Sequence, residues 1–173
     1  MSRARILAAA LTVSAAAFAT WQASEGFAPR PEIPTKGDVP TIGHGSTRYE
    51  DGTRVTMQDP PITRERAAVL AFNLMQQDCK QMVAALPGVK LYQEEYDLYC
   101  DFVGQYGIGN FRASSMRREL LAGNYVAACK ALLRYRFAAG YDCSTTINGK
   151  PNKRCWGVWT RQLDRHNACM AAQ

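Results

Sequence analysis

The sequence predicts an α+β fold, with an apolar N-terminal helix, a small lobe of β-hairpins and a larger helical lobe. Three observations predict it. Residues 6–24 carry no charge and are dominated by alanine. Residues 25–61 are rich in Gly, Pro, Thr and charged residues with only short apolar patches, the composition of hairpins and loops. Beyond Pro61, apolar residues recur at helical spacing between Gly and Pro stops. A length of 173 residues fits one domain with a short appendage, since chains of roughly 100–200 residues ordinarily make one. Hydrophobic residues at 47% and charged residues at 21% exclude wholesale disorder and a low-complexity chain.

At the amino terminus, Arg3 and Arg5 precede the uncharged run Ile6–Ser24, the layout of a secretory signal or membrane anchor. As one helix the run would span about 28 Å at 1.5 Å per residue. That is close to the roughly 30 Å hydrocarbon core of a bilayer. Thr12, Ser14, Thr20 and Gln22 interrupt the alanines, so its hold on a bilayer is weaker than that of a Leu/Ile/Phe helix. The leading arginines place the rest of the chain on the outer face of the membrane. Cleavage is the competing reading, because Ala17-Phe18-Ala19 has the small-x-small pattern of a signal-peptidase site and would leave a mature chain beginning near Thr20. The expected division is therefore a signal-anchor segment, 1–24, and a folded domain, 25–173.

In the hairpin lobe, Asp51-Gly52 is a hairpin-turn dipeptide. Thr63 then caps a helix that runs until Pro87-Gly88 stops it, and further helices are expected over Gln93–Val103, Ser114–Leu121, Tyr125–Phe137 and Trp156–Met170. Leu70, Leu74, Met82, Tyr96, Leu98, Phe102, Val126, Leu132 and Leu133 supply the expected core. Six cysteines in no C-x-x-C pair give neither zinc-site nor thioredoxin-like spacing, and so point to an oxidising location with up to three disulfides; six buried free thiols are the plainer alternative. Asn148-Gly149 and Pro151 mark a turn flanked by Cys143 and Cys155, the pairing the spacing favours. The pairing of Cys79, Cys100, Cys129 and Cys169 stays open. A net charge of +6 attracts polyanions generally, but no aromatic-interleaved basic motif selects nucleic acid, and none is expected as a partner. No cofactor or metal motif is present.

The chemistry is carried by Glu25-Gly26 and, downstream, Lys36-Gly37-Asp38-Val39-Pro40-Thr41-Ile42-Gly43-His44-Gly45. With these strings the sequence resembles the phage lysozymes (endolysins) of glycoside hydrolase family 24, in which Glu-Gly opens the catalytic lobe and a Thr-Ile-Gly-x-Gly hairpin faces it. The resemblance continues through LYQEEYDLYCDFVGQYGIGNFRASSMRRELLAGNYVAAC, with Gly107-x-Gly109-x-Phe111, Ser114-Ser115 and Leu121-x-Gly123-x-Tyr125 in the family's order. It implies a lysozyme-like fold and a metal-free, inverting muramidase that cuts the β-1,4 bond between N-acetylmuramic acid and N-acetylglucosamine. Glycoside hydrolysis needs an acid to protonate the leaving oxygen and a group that positions water on the opposite face. By the resemblance Glu25 is the acid, with Trp21 and Phe27 as its apolar surroundings, and Thr41 offers a hydroxyl to water. The family's usual Asp or Cys, six residues before the Thr, is absent, because Thr35 stands there. Asp38, three before Thr41, either takes over that role or is a turn residue beside Gly37. His44 lines the cleft, and Gln105, Tyr106 and Ser115 fall where the resemblance puts substrate contacts.

A lysozyme domain directly after an alanine-rich run also resembles signal-arrest-release endolysins. This implies a monomer held to the host inner membrane by residues 6–24 and facing the periplasm, then released into it to act on peptidoglycan. Neither the first 24 residues nor the hairpin lobe contains cysteine, so activation by release rather than by disulfide exchange is expected. A lytic transglycosylase and a non-catalytic murein-binding protein are the rival functions.

Overall fold

The computed structural model describes residues 3–34, 37–147 and 149–173. Thr35, six residues before Thr41, and the turn residue Asn148 lie outside the described residues. The chain divides into two compact units, Thr12–Gln81 and a second formed by residues up to Leu11 together with Met82–Gln173. The boundary expected at Ser24/Glu25 falls inside the first.

In the unit Thr12–Gln81, the Ser14 hydroxyl accepts the Ala17 N–H at 3.1 Å and starts helix α1, Ala15–Ser24. Strand β2, Ala28–Glu32, pairs antiparallel with β3, Thr41–Gly43, in the register Ala28↔Gly43 and Glu32↔Thr41. Pro29 and Pro31 supply no N–H, which suits a short ladder with an irregular register. The chain reverses at once over Gly43-His44-Gly45, where Ile42 and Ser46 exchange backbone hydrogen bonds of 2.9 and 3.0 Å. Both glycines take positive φ, +66° and +81°. The Asp51-Gly52 turn is present, with Asp51 Oδ1 accepting the Thr53 N–H at 2.8 Å. Thr63 Oγ1 accepts the Arg66 N–H at 3.2 Å and caps α2, Arg64–Ala84, which passes out of the unit at Gln81. Ile42, Val55 and Leu70 are buried as a core, with Tyr49, Ile62 and Leu74 packed against it.

In the other unit, β1, Ile6–Leu7, pairs antiparallel with β4, Lys90–Leu91, and a 3-10 turn follows over Ala8–Ala10. Helices α3, Gln93–Ala113, α4, Ser115–Leu121, and α5, Tyr125–Ala131, come next, then a 3-10 turn over Leu132–Arg134. Two small hairpins follow, β5 (Phe137–Ala138) with β6 (Tyr141–Asp142) and β7 (Thr146–Ile147) with β8 (Lys150–Pro151), before α6, Trp156–Ala171. Tyr99, Phe102, Phe111, Met116, Leu120 and Leu132 are fully buried. Asp101 on α3 accepts from Arg161 at 2.6 Å and Arg165 at 2.7 Å, tying α3 to α6. Cys129 is bonded to Cys169 and Cys143 to Cys155, and no described cysteine is free.

Four sequence expectations change. The run Ile6–Ser24 is not one helix: its first part pairs with residues 89–91 and Ser14 starts a new element, so it folds as a strand, a 3-10 turn and α1. Among the described residues no helix is long and apolar enough to cross a membrane. The helix expected to end at Val103 continues to Ala113, broken only at Gly107, where φ is 80° and ψ 155°. The helix expected over Tyr125–Phe137 stops at Ala131, and Val126 is 43% exposed because the short α5 buries Ala128, Cys129 and Ala131 instead.

Candidate active site

Glu25 is the first residue beyond α1; its N–H still bonds the Trp21 carbonyl at 3.1 Å, while its extended backbone leads the chain towards β2. The side chain is half-buried. Its Oε2 lies close enough to Gly45 that a Cβ there would meet it at 3.8 Å. The helix end and the glycine turn are thus brought together, although 20 residues separate Glu25 from Gly45.

His44 forms the centre of that turn. It is 6% exposed, and both ring nitrogens are engaged inside the unit: Nδ1 with the Gly26 carbonyl at 2.8 Å and Nε2 with the Gln22 side-chain nitrogen at 3.2 Å. A carbonyl only accepts and an amide nitrogen only donates, so Nδ1 carries the hydrogen and Nε2 receives one from Gln22. The rings of Phe27 and Trp21 lie 5.7 and 6.3 Å from the imidazole, and the Arg64 guanidinium covers Phe27 at 4.3 Å. The residue expected to line a cleft is therefore enclosed. In the sequence Gln22 is marked only as a polar interruption of an apolar run, three residues before a candidate acid.

Thr41 is half-buried on β3, with a long 3.4 Å hydrogen bond from its hydroxyl to the Glu32 carbonyl. Asp38 is exposed on the connection between β2 and β3. In the other unit, Gln105 is exposed on α3. Tyr106, one residue before the Gly107 break, stacks on Phe102 at 4.8 Å and donates its hydroxyl to the Tyr135 carbonyl at 3.0 Å; burial pushes its phenol pKa up. Ser115, in the first turn of α4, accepts from Arg134 at 3.4 Å. Among the described residues no group of three or more His, Cys, Asp or Glu side chains is placed to hold a metal ion.

The phage lysozyme family matches residues 22–154, a stretch that contains Gln22, Glu25, the Thr41–Gly45 turn and the first three helices of the other unit. An endolysin of Salmonella phage P22 is 34% identical over 104 residues, 60% of this chain and 69% of that protein. Among solved structures, a P22 lysozyme variant superposes with a TM-score of 0.70 at 24% identity, covering 92% of this chain and 99% of the other. An endolysin from Escherichia coli O157:H7 phage FAHEc1 does so with a TM-score of 0.74 at 21% identity, covering 95% and 96%. The architecture is lysozyme-like, and with the family match spanning most of its length the chain belongs to the phage lysozyme family.

Proposed function

We propose that this protein is a peptidoglycan-degrading endolysin of the muramidase type, cutting the β-1,4 bond between N-acetylmuramic acid and N-acetylglucosamine, with Glu25 as general acid. The observation that carries this reading is the half-buried Glu25 carboxylate beside Gly45 of the Thr41–Gly45 turn, inside the stretch matched by the family. Protonation of the leaving oxygen falls to Glu25. The Thr41 hydroxyl and the exposed Asp38 carboxylate are the groups that orient water. Gln105 and Ser115 in the helical unit suit hydrogen bonding to sugar hydroxyls and N-acetyl groups, and Tyr106, whose hydrogen already goes to Tyr135, retains acceptor capacity. Transglycosylase chemistry is favoured by one observation, that threonine occupies position 35 where the family's usual pattern has an acid. In that case the substrate's own 6-hydroxyl displaces the leaving sugar and no water is needed.

The test is clearing of permeabilised Gram-negative cells by wild type, Glu25→Gln and Asp38→Asn, with mass analysis of the glycan ends. The muramidase gives rapid clearing and hydrated muramic ends, and Glu25→Gln abolishes both. Anhydro ends establish the transglycosylase. A folded wild-type protein that binds murein without clearing cells sinks both.

The same reading extends to location. Residues 6–24 tether the chain to the inner membrane, facing the periplasm, and release makes it active there. The arginines ahead of a weakly apolar run support the tether, and the folded use of that run supports activation on release: a segment lying in a bilayer cannot also pair as β1 with β4 or pack Phe18 against Phe72. Before lysis the intact N-terminal mass should be in the membrane fraction and afterwards in the soluble fraction. A requirement for reductant to switch on the released enzyme would overturn activation by release alone.

A further inference from the structure

We propose that His44 and Gln22 are positioning residues for the Glu25 carboxylate, a role that rests on the assignment of Glu25 as the acid. The imidazole bonds residue 22 through Nε2 and residue 26 through Nδ1, so its two contacts fall on either side of Glu25 in the chain. One contact holds the last turn of α1, which ends at Ser24, and the other holds the first residue after Glu25. The peptide that carries the carboxylate is thereby fixed to the glycine turn that faces it. Without the imidazole, the Gly26 carbonyl would lose this hydrogen bond, and the junction that carries Glu25 would lose this tie to the glycine turn.

The surroundings make the bonds directional. His44 is 6% exposed, and the rings of Trp21 and Phe27 flank it, which limits its rotation and keeps water from competing for its nitrogens. The neutral tautomer with hydrogen on Nδ1 satisfies both contacts at once, whereas hydrogen on Nε2 would point at the Gln22 amide and leave the Gly26 carbonyl facing a lone pair. The imidazole touches neither substrate nor reacting atoms in this scheme. It acts by holding the carboxylate where a glycosidic oxygen is to be protonated, and displacement of a reacting group by an ångström costs about a hundredfold in rate.

The experiment measures kcat and KM on soluble, uncrosslinked glycan strands for wild type, Gln22→Met, His44→Phe, His44→Asn and the Gln22→Met/His44→Phe pair. Circular dichroism and melting temperature select the folded variants. His44→Asn restores an N–H at the place of Nδ1, and so keeps the Gly26 contact while losing the Gln22 one. The expected result is a fall of kcat of about tenfold to a hundredfold in His44→Phe with KM nearly unchanged. Gln22→Met shows a smaller fall, His44→Asn recovers most of kcat, and the pair is no worse than His44→Phe alone, as residues acting through one contact require. Nitrogen chemical shifts should show His44 with hydrogen on Nδ1.

Wild-type kcat in folded Gln22→Met and His44→Phe overturns the proposal, as does a loss confined to KM or a His44→Asn variant as slow as His44→Phe. If His44→Phe does not fold, the half-buried Gln22 decides through Gln22→Met. The two readings fail differently. An inactive wild type, or an active Glu25→Gln, removes the muramidase assignment, whereas abolition by Glu25→Gln with undiminished Gln22→Met and His44→Phe removes only the positioning role.

Discussion

Position 43 leaves no room for a side chain. A Cβ there would lie 2.8 Å from the Ala67 Cβ on α2, and the backbone already has φ of +66°. Gly43→Ala is expected to destabilise by about 1–3 kcal/mol through overpacking alone. A urea titration measures it, and because the same shift moves the neighbouring His44 turn, activity should fall further than stability accounts for. Elsewhere in the unit, Glu50 accepts a bidentate pair from Arg66, at 2.6 and 2.7 Å, and a third hydrogen bond from Asn73. Arg66 holds the Glu50 carboxyl down to about 2. A carboxylate depressed in the folded state stabilises above its unfolded pKa, and that contribution is lost as pH falls towards its folded one. The stability gap between wild type and Glu50→Gln should therefore be steady near neutrality and close between about pH 4.5 and pH 2 in thermal melts. The strings around Glu25 and Thr41 can be read as strings. The Gln22–His44 bond cannot, since it exists only once the glycine turn folds back on the end of α1, and a glutamine in an alanine-rich run looks like a weakness rather than a partner.

Caps and stops made most helices legible: Thr63 before α2, Ser114 accepting the Arg117 N–H before α4, and Pro87-Gly88 after α2. The departures have local causes. Gly107 lies within an otherwise periodic stretch, so its positive φ breaks a helix that its neighbours resume. The N-terminal run divides because its strand partner lies more than 80 residues further along the chain, beyond any local pattern. Its anchor point in the folded state is Arg5, which donates to both oxygens of Glu95 at 2.9 Å and covers the Tyr125 ring at 3.6 Å. Glu95 is 1% exposed and also accepts the Tyr92 N–H at the start of α3. Arg5→Ala is expected to cost about 3 kcal/mol by leaving a buried carboxylate without its counter-ion. Pairing Arg5→Met with Glu95→Gln should recover part of it, and equal losses in both variants would argue against a charge effect. At the C-terminal hairpins, replacing both Cys143 and Cys155 by serine is expected to cost on the order of 3 kcal/mol in a chemical denaturation.

For the molecule as a whole, the N-terminal run serves both units: up to Leu11 it belongs with Met82–Gln173, and from Thr12 with the unit that holds Glu25. Processing at Ala19 would therefore remove more than an address signal. It would take away Arg5, the buried Ala8 and Phe18, whose ring packs edge-on to Phe72 at 5.1 Å. A chain beginning at Thr20 should melt well below the full chain, and equal midpoints would mean that the run contributes nothing to the folded state. The two disulfides of the helical unit are nested, Cys143–Cys155 lying within the span closed by Cys129–Cys169. Lys153 and Arg154, both exposed, fall inside the inner loop. A protease that nicks the chain there cuts a peptide bond but frees no fragment. The severed pieces stay tied by two covalent bridges, so the cut shows on a reducing gel and not on a non-reducing one, and α6 stays attached to the rest of its unit after the cut.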